Sequence, residues 1–321
     1  MKTVGRIFAA LACAVFVCAG SFAARGDDYP NKPIRLLVGY APGGAVDIVS
    51  RILADQLEKR MGQRIVVDNR PGGGTIIALQ TLARAEPDGY TAMMADIAMA
   101  ANPALHKTLP YDTFKDFEPV VLVALLPGVM AVDPKLPVKN VADFVKLAKS
   151  EPGKLNYASS GIGSLGHLGP ELFKSETGTN IVTIPYQSGA QVMQALMSGV
   201  AQMIFTTAPP LLPFKDKVHV LAVSSEKRLP ALPDVPTFAE SGLPGVKVAL
   251  WEGVFVPRGT DEKIVQKLNA EFNAVLQIPE VKERIAKLGG EVVGGTPEQL
   301  ASFLKEEVAK WQRVVPASLR N

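Results

Sequence analysis

The sequence predicts an α/β protein of two lobes, each built on a mostly parallel sheet that is flanked by helices. Short apolar runs typical of buried strands alternate with segments of helical periodicity along most of the chain. Such alternation favours parallel sheets covered by helices on both faces. Two extended runs, 120–132 and 248–256, are long enough to cross from one lobe to the other. We therefore predict a hinge of two strands.

The first strand and helix show the pattern clearly. The apolar run from Ile34 to Val38 is followed by Gly43 and Gly44, after which Ile48, Ile52 and Leu57 (with Val49 and Leu53) recur at helical spacing. Further strands are predicted at 64–68, 91–95, 120–132, 156–159, 181–185, 202–205, 218–223 and 248–256. Further helices are predicted at 141–150, 164–176 and 190–197, and the chain ends in helices.

The two long strands set the predicted lobe boundaries. The first lobe comprises residues 24–126 together with 250–321, and the second lobe comprises residues 127–249. A proline-rich stretch, 230–244, is too apolar for a disordered linker and is interpreted as an ordered surface loop.

The amino-terminal segment has the composition of a secretory signal peptide. Lys2 and Arg6 precede an apolar run over residues 7–20, and small residues at Ser21 and Ala23 suit cleavage before Ala24. A retained membrane anchor is the alternative, although the run is short for a span. Cleavage after residue 23 would place the protein in the periplasm. It would also remove Cys13 and Cys18, the two cysteines of the chain.

Charge and motifs argue against several classes of function. The 34 basic and 31 acidic residues are nearly balanced and form no basic stripe, so nucleic acid is not an expected partner. The three histidines lack metal-ligand spacing, and neither a metal nor a cofactor is predicted. Residues 161–166 match Gly-x-Gly-x-x-Gly, but the next strand ends without the acidic residue that a dinucleotide site requires.

Three glycine-bearing loops connect strands to helices. They cover 40–45, 161–166 (directly after Ser159 and Ser160) and 186–190. Each leaves backbone N–H groups at the positive end of a helix dipole, where a carboxylate binds without an arginine. Ordinary turn chemistry explains any one of them. The three together, from both halves of the chain, favour a single carboxylate-binding cleft.

Other polar residues have plainer interpretations. Asp47 sits in the first turn of its helix, where capping of exposed N–H groups is favoured over ligand contact. His167 is expected to cap or to support the second loop. The segment 69–74 is either an anion loop or a glycine-rich turn with an exposed Arg70.

Motifs along the chain resemble one family of receptors. The matching segments are Tyr29–Arg35, Ala41–Asp47, Val67–Gly72, Pro87–Tyr90, Leu109–Asp112, Lys115–Phe117, Pro152–Gly161, Gly163–His167, Pro185–Tyr186, Leu232–Thr237 and Gly294–Glu298. In this order they resemble the receptors of tripartite tricarboxylate transporters, also called Bug-type solute-binding proteins. The resemblance covers nearly the whole chain after residue 23.

The resemblance implies a periplasmic binding fold of the type II kind that closes on a small organic acid, mainly through backbone amides. It also implies membrane importer subunits as partners, and we expect a monomer. The residues expected to face the ligand are Tyr40, Ala41, Gly43, Gly44, Ala45, Asp96, Ser159, Ser160, Gly163, Ser164, Tyr186, Gly189 and Thr206.

Three departures from the family pattern bear on the charge of the ligand. Ala45-Val46 stands where Ser-Thr is frequent, and Thr206-Thr207 stands where Asp-Asn is frequent. The segment 95–99 is interpreted as a loop that is shorter and more apolar than the usual Gly/Ser/Thr-rich one. Asp96, at the carboxyl end of a strand, either faces the cleft or caps the following turn. A monocarboxylate or an amino acid is therefore predicted over a tricarboxylate.

The predicted function is a receptor that delivers a carboxylate-bearing solute to a membrane importer. An orphan receptor that feeds a membrane sensor is one alternative. Another is an exported enzyme, which would need a positioned acid, base or nucleophile; Asp47, Asp96 and His167 lie on separate segments without visible partners. A third alternative is the effector domain of a transcription factor. Such a protein would need a DNA-binding helix pair, and the predicted signal peptide occupies that part of the chain.

Overall fold

The computed structural model describes residues 29–186, 188–316 and 319–320. These residues form two β-sheets with helices packed against them. The signal peptide predicted over residues 1–23 lies outside the described residues.

The elements are numbered in chain order. The strands are β1 (Ile34–Val38), β2 (Ile65–Asn69), β3 (Thr91–Asp96), β4 (Phe117–Pro127), β5 (Val129–Val132), β6 (Asn156–Ser159), β7 (Val182–Pro185), β8 (Met203–Thr206), β9 (His219–Val223), β10 (Ala249–Pro257) and β11 (Glu291–Val292). The helices are α1 (Ala45–Met61), α2 (Ile76–Ala83), α3 (Ile97–Leu105), α4 (Val141–Ser150), α5 (Leu165–Thr177), α6 (Gly189–Ser198), α7 (Ala208–Leu211), α8 (Glu262–Leu276), α9 (Pro279–Lys287) and α10 (Pro297–Val314), with a 3₁₀ helix at Leu212–Lys217.

The two sheets confirm the two-lobed α/β fold. The first lobe contains the six-stranded sheet of order β11-β4-β10-β3-β1-β2, and the second lobe contains the five-stranded sheet of order β7-β6-β8-β5-β9. The sheets are mixed rather than mostly parallel. β1 and β6 each pair in parallel with both neighbours, whereas β10 and β5 each pair antiparallel with both of theirs. One strand at a crossing in each sheet, β10 in the first and β5 in the second, runs against the strands of the β-α-β units, which makes each sheet mixed.

The two crossings between the sheets lie side by side. The apolar run predicted as one strand over 120–132 is broken at Gly128, where the chain leaves the first sheet at β4 and enters the second at β5. The Gly128 N–H donates hydrogen bonds to the Val248 carbonyl at 3.1 Å and to Ser224 Oγ at 2.7 Å. Ser224 N–H donates in return to the Gly128 carbonyl at 2.8 Å. The predicted two-strand hinge therefore passes through one hydrogen-bonded junction of Gly128, Ser224 and Val248.

The apolar helix faces predicted from the sequence pack into the core, with one exception in α1. In α1 the residues Val49, Ile52, Leu53 and Leu57 are buried, whereas Ile48 is 36 % exposed. The core of the second lobe includes four phenylalanine rings, whose successive centroids lie 6.0, 6.2 and 5.7 Å apart from Phe144 through Phe173 and Phe238 to Phe205. Within the described part of the chain, no helix is long and apolar enough to cross a membrane.

Helix α3 is a departure from the sequence prediction, which treated residues 95–99 as a loop. The helix begins immediately after β3, and Asp96 ends the strand and caps the helix at the same time. No turn residue separates the two elements, and the N-cap residue Asp96 is the boundary signal between them.

Candidate functional site

The first glycine loop leads into α1 and is held by Asp47. Gly44 is the N-cap of α1 and makes no side-chain cap hydrogen bond. Asp47 Oδ2 accepts from the Gly43 N–H at 2.9 Å, and its carboxylate also pairs with Arg51 at 2.9 Å. Burial disfavours ionisation of Asp47, but hydrogen bonds from Arg51, Gly43 and Asn69 outweigh that effect and lower its pKa. Asp47 therefore has the capping role that the sequence favoured, and the Gly43 amide already has a partner.

The second glycine loop leads into α5 and is held in the same way by His167. The Gly163 N–H donates to His167 Nδ1 at 3.3 Å. Burial lowers the pKa of His167, so its imidazole is neutral and able to accept this hydrogen bond. Ser164 is the N-cap of α5, and its hydroxyl donates to the Gly161 carbonyl at 2.7 Å instead of capping the helix. The amides of the first turn of α5 are thus not capped by the N-cap side chain.

The third loop is arranged differently. Ser188 is the N-cap of α6, and its hydroxyl accepts from the Gln191 N–H at 3.3 Å. Gly189 is exposed, whereas Tyr186 is half-buried and its N–H donates to the Ser159 carbonyl at 2.8 Å. The third loop is therefore tied to the second, but its helix is already capped. Thr206 ends β8 opposite Val129, next to the hinge.

The first two loops both contact α3. From the first loop, the Tyr40 hydroxyl donates a 2.6 Å hydrogen bond to Oδ2 of Asp96, the N-cap of α3. From the second loop, a Cβ added at Gly163 would be in ordinary van der Waals contact with α3, 3.5 Å from Leu105 Cδ1, 3.7 Å from Ala98 Cβ and 3.8 Å from Asn102 Oδ1. Two predicted site loops, one from each lobe, thus contact the same helix: the first loop at its N-cap and the second along its length.

A second contact between the lobes lies beside this point. A Cβ added at Gly74, which has a positive φ of 59°, would lie 3.2 Å from the Ile162 carbonyl oxygen. Such a distance is tighter than normal side-chain packing, so the backbone approach requires glycine. The glycine-rich turn at 72–74 therefore belongs to the wall of the cleft.

Asp96 both caps α3 and contacts the first loop. Its Oδ1 accepts from the Ala98 N–H at 3.2 Å, and the residue is 1 % exposed. Burial raises the pKa of Asp96 to about 6, against the opposing hydrogen bonds from Tyr40 and Ala98. Burial, followed by the charge of Asp96, raises the pKa of Tyr40 well above its ordinary value. The capping role considered from the sequence is present, together with a direct bond to a residue of the predicted site.

Three polar residues of this wall were not identified from the sequence. Thr75, Asn102 and Glu252 are buried, and each has side-chain oxygen atoms without a hydrogen-bond partner among the described residues. A signal for two of them exists: Asn102 and Glu252 are single polar residues inside otherwise apolar runs. Buried polar groups of this kind are rare unless a partner binds them.

A separate cavity lies elsewhere in the first lobe. Its volume is about 430 Å³, and Phe117, Phe255, Arg258 and Leu304 are among the residues that line it. None of the residues predicted for the site lines this cavity. Among the described residues no group of three or more His, Cys, Asp or Glu is arranged to hold a metal ion. The convergence at α3 is therefore the candidate site.

Two α/β lobes joined by two adjacent crossings, with glycine loops from both lobes meeting between them, define a solute-binding protein of the periplasmic binding fold. The family model described as tripartite tricarboxylate transporter family receptor, TctC, matches residues 49–318. The chain belongs to this family, as its motifs indicated, and is a binding receptor rather than an enzyme.

Solved structures support the assignment. The R. palustris protein Rpa4515 with adipate is 35 % identical, has a TM-score of 0.81 and is matched over 89 % of this chain and 97 % of its own. The periplasmic binding protein BugD is 33 % identical, with a TM-score of 0.78 and coverage of 89 % and 97 %. MatC from Rhodopseudomonas palustris with bound malate is 32 % identical, with a TM-score of 0.80 and coverage of 90 % and 100 %.

Proposed function

We propose that this protein is a periplasmic receptor that captures a small carboxylate-bearing solute between its lobes and delivers it to a membrane importer. The observation that carries the proposal is the meeting of two loops at α3. These loops open α1 and α5, two helices whose N-caps make no side-chain cap hydrogen bond. A carboxylate at such helix ends is stabilised by backbone N–H groups and by the helix dipoles.

Two of the similar structures lend support through their ligands. Rpa4515 was solved with adipate, and MatC was solved with bound malate. Both ligands are small carboxylates, and they differ in length and substituents. The shared part of recognition is therefore proposed to be the carboxylate, held by the loops at 40–45 and 159–164.

Among carboxylates we favour a monocarboxylate or an amino acid over a tricarboxylate. Asp96 and Glu252 place two carboxyl groups in the wall near the first loop. Asp96 is ionised at pH 7 and would repel additional negative charge on the ligand, and its burial strengthens the repulsion. A single carboxylate bound at the helix ends avoids this repulsion.

Binding is tested on protein purified from the periplasm of its own host. Native mass spectrometry is expected to reveal a retained small acid, and calorimetry with that acid is expected to give one site per chain. A thermal-shift panel of monocarboxylates, amino acids, dicarboxylates and citrate then ranks the classes, because a bound ligand raises the melting temperature by mass action. Stabilisation by citrate alone would contradict the favoured class, and the absence of any carboxylate ligand would contradict the function.

A further inference from the structure

Glu252 is a buried carboxyl group for which the described residues supply no hydrogen-bond partner. It stands within the apolar strand β10, it is 0 % exposed, and both Oε1 and Oε2 are unpartnered. The receptor fold alone gives no reason for this, because an apolar residue would stabilise the strand better. A carboxyl group in this position therefore calls for a functional explanation.

The position of Glu252 ties it to the candidate site. It lies directly opposite Asp96 in the antiparallel pairing of β10 with β3, and opposite Ala124 on β4. Side chains of directly opposed residues extend from the same face of a sheet as close neighbours. Asp96 in turn accepts the hydrogen bond from Tyr40. The titratable groups that influence Glu252 are thus Asp96 and Tyr40, since β4 contributes only an alanine.

The two carboxyl groups differ in protonation at neutral pH. Burial and then the charge of Asp96 raise the pKa of Glu252 to about 8, whereas the pKa of Asp96 is about 6. At pH 7 in the unliganded cleft, Asp96 is therefore ionised and Glu252 holds a proton. The pair therefore carries one negative charge, and it gains a second when Glu252 loses its proton.

Asn102 adds an oriented acceptor to the same wall. Its amide nitrogen donates to the Gly74 carbonyl at 3.0 Å and to the Tyr111 hydroxyl at 2.9 Å, which fixes which end of the amide is the oxygen. Oδ1 has no partner among the described residues and lies beside Gly163 of the opposite lobe. Asn102 lies one turn after Ala98 on α3, the helix that Asp96 caps. Its acceptor therefore lies where the two lobes meet.

The first-lobe wall thus offers acceptors, whereas the helix ends offer donors. We propose that Glu252 and Asp96 form a subsite for the ammonium group of a ligand whose carboxylate lies at the N-termini of α1 and α5. This inference rests on the proposed function and narrows the ligand class to amino acids. When the ammonium group enters, Glu252 releases its proton to solvent, and the resulting carboxylate pairs with the cation.

The test uses pairs of acids that differ only in the amino group. They are L-alanine and propionate, L-aspartate and succinate, L-glutamate and glutarate, and L-phenylalanine and hydrocinnamate, titrated into the purified protein by calorimetry. In at least one pair the amino acid is expected to bind about tenfold or more tightly than its deaminated partner. Titration in buffers of different ionisation enthalpy at pH 7 is expected to show release of about one proton on amino-acid binding.

Variants assign the effect to Glu252. Glu252→Gln is expected to weaken amino-acid binding about tenfold and to abolish proton release, with the affinity of the deaminated acid within about threefold of the wild-type value. Glu307→Gln is the matched control, because the Glu307 carboxylate is also buried but is already bonded to Lys310 and Trp311. If Glu252→Gln does not fold, the proton release measured with the wild-type protein still tests the ammonium subsite.

The outcomes separate the two proposals. Equal or tighter binding of deaminated acids, or amino-acid binding without proton release, would overturn the ammonium subsite and leave the carboxylate receptor intact. Binding of none of these acids, together with the absence of any acid retained from the periplasm, would overturn both.

Discussion

The Tyr40 hydroxyl donates a 2.6 Å hydrogen bond to Asp96, which links the loop before α1 to the start of α3. Tyr40→Phe removes this bond. At pH 8, where Asp96 is ionised, the loss is expected to cost about 1.5–3 kcal/mol of unfolding free energy, and at pH 5, where it is protonated, about 1 kcal/mol. Urea unfolding at both pH values measures the difference. An equal loss at pH 5 and pH 8 would show that Asp96 is not the partner that titrates.

Glu252 is expected to make the stability of the protein depend on pH. Its pKa rises from 4.5 in the unfolded chain to about 8 in the folded protein, so the folded state binds the proton more tightly. The associated stability is complete below pH 4.5 and is lost as the pH rises to 8. Glu252→Gln is expected to match the wild-type melting temperature at pH 4.5 and to exceed it at pH 8. A constant difference in melting temperature between the two proteins from pH 4.5 to pH 8 would contradict the raised pKa of Glu252.

Gly163 is expected to matter for ligand affinity through its contact with α3. Gly163→Ala places a side chain at a φ of 81° beside Ala98 and Asn102. The backbone cost is about 1–2 kcal/mol, and the strain is expected to displace the loop that contacts α3, so affinity for the retained acid is expected to fall about tenfold by calorimetry.

Gly178 provides the matched control for that substitution. It ends the same helix with a φ of 64°, and a Cβ added there meets nothing within 4 Å. Gly178→Ala is expected to lower stability by a similar amount and to leave affinity unchanged. Equal ligand affinities of the two variants would show that Gly163 is not part of the binding site.

Ser224 is expected to hold the hinge together. Its hydroxyl accepts from the Gly128 N–H at 2.7 Å and contacts the carbonyl groups of Gly128 and Val248. Ser224→Ala is expected to cost about 1–3 kcal/mol, because buried groups lose their partner. Hydrogen exchange is expected to accelerate in peptides that cover 124–132 and to remain unchanged in α1. Ser225→Ala is the control, since its exposed hydroxyl donates to the nearby Lys227 carbonyl and lies outside the junction. The same acceleration in Ser225→Ala would argue against a specific role for Ser224.

Elements with their own local signals were predicted well from the sequence. β1, β6 and α4 have the predicted bounds, and Asn140 caps α4 through the Asp143 N–H. Bonds over four residues, such as Gly43 to Asp47 and Gly163 to His167, agree with the capping roles that the sequence suggested. Local spacing along the chain carries this information.

Features that depend on strand pairing were not predictable in the same way. The opposition of Glu252 and Asp96 follows from β10 pairing antiparallel with β3, and no local pattern specifies that register. The break at Gly128 was missed because both flanking strands are apolar and the chain changes sheets without a polar turn. The approach of Asn102 to Gly163 depends on the relative position of the lobes, which the sequence does not encode locally.

The junction of Gly128, Ser224 and Val248 makes the second lobe a self-contained insertion in the first. All five strands of the second sheet lie between β4 and β10, and the segment leaves and returns at points joined by hydrogen bonds. The loop at 159–164 belongs to this insertion, whereas Asp96 and Glu252 lie on strands of the first sheet. Under the proposed binding mode, one continuous segment of the chain thereby supplies every contact that the second lobe makes with the ligand, so that a change confined to this segment alters recognition from one side of the cleft.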